Sequence, residues 1–370
     1  MNYSGRLGII QRVLPTYRAN FFSLLGEACQ NGLGIFAGKA RQAESIVSTQ
    51  SIAGVKLFEA HNLHFFEGPL YGCWQQGLTT WLRKWQPDVL IVEANPRYLS
   101  TPLAIHWMHA RNKSVIGWGL GAPNHIGGLA AFTNLTRKHF LQQFEAIITY
   151  SKTGAQEYAR LGLNPESLYV ANNAVSPRPS TPIPVRPDRF ATKPNVLFVG
   201  RLQARKRIDN LLNACATLPE ALQPELIIVG EGPAREELEA QAKQIYPSAQ
   251  FTGAKFGAEL NAHFIKADLF VLPGTGGLAI QQAMSFGLPV IAAEADGTQD
   301  DLIRQSNGWQ IPADNLDALK QTLELALSEP ARLRQMGAES YRIVCEEINL
   351  EKMVSIFLNA IEYAQTRIII

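Results

Sequence analysis

Short apolar runs alternate with stretches whose apolar residues recur every three or four positions, and this rhythm persists along all 370 residues. In the first half RLGII, GLGIFA, VKLFEA, DVLIVEA, SVIGWGL, AIITYS and SLYVANNAV read as strands, while NFFSLLGEACQ and LSTPLAIHWMHARN carry helical periodicity. The second half repeats the scheme with NVLFVG, ELIIVG, AQFTG, ADLFVLPG, LPVIAAE and GWQIP. Continuous rather than alternating apolar runs, separated by amphipathic helices, predict parallel strands buried on both faces. The fold class is therefore α/β, with two Rossmann-like doubly wound parallel-sheet domains facing across a cleft.

The two halves meet at SPRPSTPIPVRPDRFATKP, residues 176–194, where six prolines exclude both helix and ladder. This stretch reads as a linker or hinge between an N-terminal domain, 1–175, and a C-terminal domain, 195–350. Residues 351–370 read as an amphipathic helix, with Met353, Ile356, Phe357, Ala360 and Ala364 on one face. That helix either packs on its own domain or crosses back to the N-terminal one. A chain of this length is long for a single core, which agrees with two domains.

Composition is that of a globular protein, 46% apolar and 18% charged, and a net charge of +2 argues against a dedicated nucleic-acid binder. The charge is uneven. Residues 1–180 hold 16 Lys and Arg against 9 Asp and Glu, and the remainder 18 against 23. An anionic partner for the first half, such as a phosphate-bearing lipid or polyanionic glycan, is one reading; an unevenly solvated surface is the other. Cys29, Cys73, Cys215 and Cys345 form no CxxC pair and read as reduced thiols of a cytoplasmic protein. With no signal-peptide pattern and no membrane-length apolar run, any membrane contact is expected to be peripheral, at the inner face.

Two loops carry candidate chemistry. In NVLFVGRLQARKRIDNLLNA a strand ends at Gly200, and Arg201, Arg205, Lys206 and Arg207 follow, a cluster suited to a diphosphate. In ADLFVLPGTGGLAIQQAM, Gly274, Gly276 and Gly277 allow close backbone approach, and a helix starting near Leu278 turns free N–H groups toward a ligand. A solvated charge run and an ordinary tight turn would explain either loop alone. One shared diphosphate explains both.

Together with LIIVGEGP, FTGAKFGAELNAHFIKADLFVLPG and NGWQIPADNLDALKQTL, these segments resemble the C-terminal domain of glycosyltransferase family 4, retaining enzymes of the GT-B fold. AIITYSKTGAQEYARLGLNPESLYVANNAVS is similar to the segment closing that family's first domain. A diphosphate already neutralised by Arg and Lys needs no divalent ion, and the resemblance implies a transferase of polysaccharide biosynthesis. It would move a sugar from a nucleotide-diphosphate donor, first read as a UDP-sugar, to a glycan, lipid-linked or small-molecule hydroxyl. Arg201 and Lys206 would hold the diphosphate, with Gly200 and Thr275 beside them. Backbone groups of Ala254 and Lys255 would meet the nucleobase, and those of Gly277, Leu278 and Ala279 the phosphates and sugar.

The chain departs from the family at two glutamate positions, which are Gly274 and Gln282 here, and at Gln299. Gln282 retains a carbonyl acceptor for the ribose without charge assistance. On the acceptor side Tyr17 and Arg18 suit a sugar face or an acidic group, or serve as capping and packing groups. Glu93, Asn95 and Arg97, at the end of a strand, read as acceptor contacts. Relatives often have histidine where this chain has Leu120, and His125 is the catalytic substitute five positions later. His61 and His64 show no ligand spacing, so no metal is expected. The lost carboxylates leave a second reading, a degenerate relative that binds nucleotide sugar or glycan without turnover. A nicotinamide-dependent dehydrogenase is disfavoured, because no strand leads into GxGxxG with an acid about 20 residues on.

Overall fold

The buried runs assemble into two parallel sheets in the computed structural model, which describes residues 2–41, 44, 46–123, 130–190, 192–295 and 297–367. One compact unit comprises Met1–Val175 with Leu350–Ile370; the other is Ser176–Asn349.

In the first unit the chain runs through β1 (Leu7–Val13), α1 (Ala19–Glu27), β2 (Leu33–Gly38) and β3 (Val55–Glu59). A hairpin of β4 (His61–Phe65) and β5 (Gly72–Gln76) follows, then α2 (Leu78–Trp85), β6 (Val89–Glu93) and α3 (Thr101–His109). The half closes with β7 (Ser114–Gly119), α4 (Ala130–Leu141), β8 (Ala146–Thr149), α5 (Lys152–Arg160) and β9 (Leu168–Val170). Strand order is β3-β2-β1-β6-β7-β8-β9, all parallel, with Leu7 paired to Leu33 on one side and Val89 on the other. Alternate strand residues separate cleanly. Ile9, Ile35, Ile91, Ile116 and Ile148 join one cluster with Phe21 and Phe22 of α1. Ile10, Phe36, Leu90, Val92 and Val115 join another with Trp81 and Trp85 of α2 and Met108 of α3. A period of two with both phases apolar is what a sheet covered on both faces requires. The antiparallel β4–β5 hairpin was not evident from the sequence, because HNLHF and GCWQQ are too polar and short to stand out.

The second unit contains β10 (Asn195–Val199), α6 (Ile208–Ala216), β11 (Glu225–Val229), α7 (Arg235–Ile245), β12 (Gln250–Phe251), α8 (Gly257–Lys266) and β13 (Leu269–Leu272). After these come α9 (Leu278–Ser285), β14 (Val290–Ala293), β15 (Gly308–Ile311), α10 (Leu316–Ser328) and α11 (Pro330–Glu346). Its parallel order is β12-β11-β10-β13-β14-β15. The last helix, α12 (Leu350–Thr366), belongs to the first unit. Phe357 meets Trp118 edge-on at 4.9 Å and Phe21 at 4.8 Å, and the Ser114 hydroxyl donates to the Ala364 carbonyl at 3.0 Å. No helix among the described residues is long and apolar enough to cross a membrane.

The segment 176–194 is not a free linker. It is strapped to the second unit, because prolines that cannot donate hydrogen bonds still leave their neighbours free to accept and donate. Ser176 exchanges hydrogen bonds with the buried Gln281 side chain, and Tyr341 donates to the Thr181 carbonyl. Arg186 places its guanidinium where α8 and α9 both end, donating to the carbonyls of Ala267 at 2.7 Å, Phe264 at 2.9 Å and Phe286 at 3.0 Å. A cation there meets the negative ends of two helices. Burial and the nearby Arg334 push Arg186 down to about 10, which leaves it charged at neutral pH. Arg186→Met is expected to lower stability by about 2–3 kcal/mol, read from the urea midpoint, because three carbonyls lose a charged donor. A shift indistinguishable from zero would show that the strap contributes nothing.

Candidate functional site

A doubly wound sheet leaves a gap at its carboxyl edge wherever successive crossovers turn to opposite sides. In the second unit that point lies between β10 and β13, so the loops after these two strands emerge side by side. They are the two loops that carry the candidate chemistry. Lys206 Nζ donates to the Thr275 carbonyl at 2.5 Å, Arg205 donates to the Thr275 hydroxyl at 3.1 Å, and the Thr275 N–H returns a bond to the Arg205 carbonyl at 3.0 Å. Burial, and then Arg205, lowers Lys206 to about 8. Arg201, after Gly200, is exposed, and its side chain makes no hydrogen bond among the described residues.

Arg207 does not join this cluster. Its backbone is left-handed (φ 53°) and its side chain turns to Asp209, Asn210 and Asp314. The acidic partners downstream outcompete the loop for it, and only the fold brings Asp314 near.

Gly274 occupies a position with no room for a side chain. A Cβ there would collide with the Arg205 carbonyl oxygen and sit 2.5 Å from the Lys206 carbonyl carbon. Gly276 has φ 128°, a region that disfavours every other residue, and a Cβ would run into Lys206 Nζ. The missing glutamate is thus replaced by backbone packed against the basic loop. Gln299, buried, donates to the Gly276 carbonyl at 2.6 Å and ties the loop from below, while its own Oε1 has no hydrogen-bond partner. The helix α9 starts at Leu278 without a side-chain cap, so the amides of Gly277, Leu278 and Ala279 lie at its open positive end. Gln282 is half-buried one turn further on. Ala254 is exposed after β12, and Lys255 faces Glu259 at 3.6 Å.

In the first unit the corresponding point lies between β1 and β6. The Arg12 N–H donates to Glu93 Oε2 at 2.5 Å. Burial pushes Glu93 up to about 7, although the Arg12 N–H and the charges of Arg12 and Arg18 pull the other way. Arg18 is buried, stacked over Trp118 at 4.5 Å and Tyr150 at 5.2 Å, and donates to the Tyr150 hydroxyl at 3.0 Å. Tyr17 remains exposed, 5.5 Å from the same guanidinium. A cavity of about 360 Å³ opens beyond the carboxyl ends of β6, β7 and β8, lined by Glu93, Asn95, Arg97, Trp118, Leu120 and Tyr150 among others. Asn95 spends its carbonyl on the Arg97 N–H at 3.1 Å, and the Arg97 side chain is exposed. Trp118 and Tyr150 were not singled out from the sequence; their signal is an aromatic at or just past the end of a parallel strand.

His125 lies outside the described residues, as does Asp296. His64 engages the Tyr71 hydroxyl at 2.9 Å, and among the described residues no three His, Cys, Asp or Glu side chains gather around a common point.

Residues 182–343 match the family described as Glycosyl transferases group 1. A GDP-mannose-dependent alpha-mannosyltransferase of Mycolicibacterium smegmatis is 33% identical over 165 residues, 42% of each chain. The sulfoquinovosyl transferase SQD2 of Arabidopsis thaliana is 38% identical over 119 residues, 31% of this chain and 22% of that one. The chain thus spans less than half the length of these curated relatives. Among solved structures, the lipopolysaccharide outer core galactosyltransferase WaaB superposes with a TM-score of 0.69 at 16% identity, covering 96% of this chain and 99% of that one. Anabaena HepE in complex with UDP gives 0.70 at 15%, covering 98% and 100%. The architecture is the GT-B fold.

Gly274→Ala is expected to lower stability by about 1–3 kcal/mol in thermal unfolding, the usual cost of overpacking. Gly277→Ala, whose Cβ would meet nothing nearer than 3.7 Å, is the matched control and should change little.

Proposed function

We propose, from the match of residues 182–343 to the group 1 glycosyl transferases, that the chain moves a sugar from a nucleoside-diphosphate donor to a hydroxyl acceptor. The observation that carries this reading is the convergence of Lys206 and Arg205 on the Thr275 loop, directly ahead of the open amino end of α9. Ammonium, guanidinium and free amides together meet a diphosphate and stabilise the charge it gains on leaving. Arg201, exposed beside them, supplies a further cation. With these charges in place the proposed transfer proceeds without a divalent ion.

Gly274 and Gln282 stand where the resembled family carries glutamates, so the departing diphosphate itself accepts the acceptor's proton while the new glycosidic bond forms on the same face of the sugar. That is transfer with retention. Gln282 takes the ribose hydroxyls, and backbone at 254–255 and 277–279 takes base and sugar. In the first unit Tyr17, Arg18, Glu93, Asn95 and Arg97 surround the acceptor. The mannosyltransferase relatives use GDP-mannose, which makes that donor the first to test ahead of a UDP-sugar. A thermal-shift panel of GDP-mannose, UDP-glucose and UDP-galactose identifies the donor by its selective shift. The closed position at Gly274 also motivates binding without turnover; that reading holds if a donor binds and is neither transferred nor hydrolysed.

Lys206→Met is expected to cut kcat/KM about a hundredfold or more, the scale of losing one oxyanion partner. The pH dependence has a definite sign. Only protonated Lys206 attracts the diphosphate, and its folded value of about 8 lies below the usual lysine range. Affinity for a nucleoside diphosphate therefore falls as pH rises through about 8, and binding takes up a proton there. Titration calorimetry in two buffers of different ionisation heat detects that uptake; equal heats in both would count against the role of Lys206.

A further inference from the structure

Arg18 carries a charge that no ion pair among the described residues balances. It is 7% exposed, yet among the described residues no carboxylate lies within ion-pair distance, and its hydrogen bond goes to the neutral Tyr150 hydroxyl. Arginines are almost never buried this deeply without a counter-charge or a full set of acceptors. Others in the chain obey that rule. Arg12 pairs with Glu44 at 2.9 Å, Arg334 pairs with Asp268 at 2.7 Å, and Arg186 meets carbonyls at two helix ends.

Three further features surround the same guanidinium. The helix α1 begins at Ala19, immediately after it, with no acidic residue in its first turn and no side-chain cap, so its positive end adds to the charge. The rings beside Arg18, Trp118 and Tyr150, are also walls of the 360 Å³ cavity beyond the carboxyl ends of β6, β7 and β8. The indole N–H of Trp118 is buried without a hydrogen-bond partner. Glu93 lines the cavity and acts on Arg18 from beyond pairing distance, and burial pushes it up to about 7, so that it carries only part of its charge at neutral pH.

We propose that the acceptor is an anionic sugar, bearing a carboxylate or a phosphate, whose oxyanion is read by Arg18 at the head of α1. Stacking leaves the edge of the guanidinium for the anion, while the two rings fix its plane. The sugar body occupies the cavity beside Glu93, which accepts a hydroxyl. The inference rests on the acceptor reading of the first unit and narrows it to one substrate class.

The test titrates glucose, glucuronate and glucose 1-phosphate into the full chain by calorimetry, with GDP and UDP measured in parallel. At least one anionic sugar should bind tenfold or more tightly than glucose, and the better of the two identifies carboxylate or phosphate as the feature read. Arg18→Gln should erase the preference and leave nucleotide affinity unchanged, whereas Arg18→Lys should keep part of it. Glu93→Gln removes the carboxylate that lines the cavity, keeps its bond from the Arg12 N–H, and should tighten the anionic sugar severalfold. This second variant decides the matter if Arg18→Gln does not fold. Equal binding of neutral and anionic sugars by the wild-type chain overturns the proposal, as does a parallel loss of nucleotide affinity in Arg18→Gln or unchanged anion affinity in Glu93→Gln. If anionic sugars bind and nucleotides do not, the donor reading fails while this inference stands.

Discussion

Parallel strands share one direction, so every loop that leaves their carboxyl edges arrives on the same side of the sheet. Where the winding reverses, two such loops have no crossover helix between them, and each must find partners in the other. The structure depends on this constraint twice. Between β10 and β13 it sets Lys206 and Arg205 against Thr275, and between β1 and β6 it sets the Arg12 amide against Glu93. The helices, clusters and strap around each sheet hold these two junctions in place.

The two junctions solve the problem of unpaired charge differently. In the second unit the cations rest on neutral oxygens, a carbonyl and a hydroxyl, which hold them without cancelling their charge. A carboxylate at Gly274 would have neutralised Lys206 and competed with any incoming anion; the backbone packed there excludes it. In the first unit aromatic faces take the same part, giving Arg18 a defined orientation and little electrostatic compensation. Weakly satisfied cations are what a site needs if its ligand is to bring the counter-charge.

The sheets and the two basic and glycine-rich loops were legible because they depend on local rhythm: doubly apolar strands, glycines after strands, and cations just beyond them. The fate of individual side chains was not. Arg201, Arg205, Lys206 and Arg207 look alike in a row, yet Asp314, 107 positions downstream, draws Arg207 away. Proline density correctly excluded helix and ladder over 176–194, but it gave no sign that Arg186 would find two helix ends to bind. Tyr17 and Arg18, adjacent in sequence, part company in the fold. One stays in solvent, and the other meets Trp118 and Tyr150, which lie in and just past strands about 100 and 130 residues later. An aromatic at a strand end marks each partner as a candidate, but nothing in the sequence says which arginine it will meet.

The helix α12 belongs to the unit that the chain began, and it supplies Phe357 to the ring cluster around Trp118. During translation the contiguous Ser176–Asn349 unit therefore has all its residues available first, whereas the earlier-made portion waits with an apolar face uncovered until the final helix leaves the ribosome. A nascent chain stalled before Leu350 would present that face to chaperones.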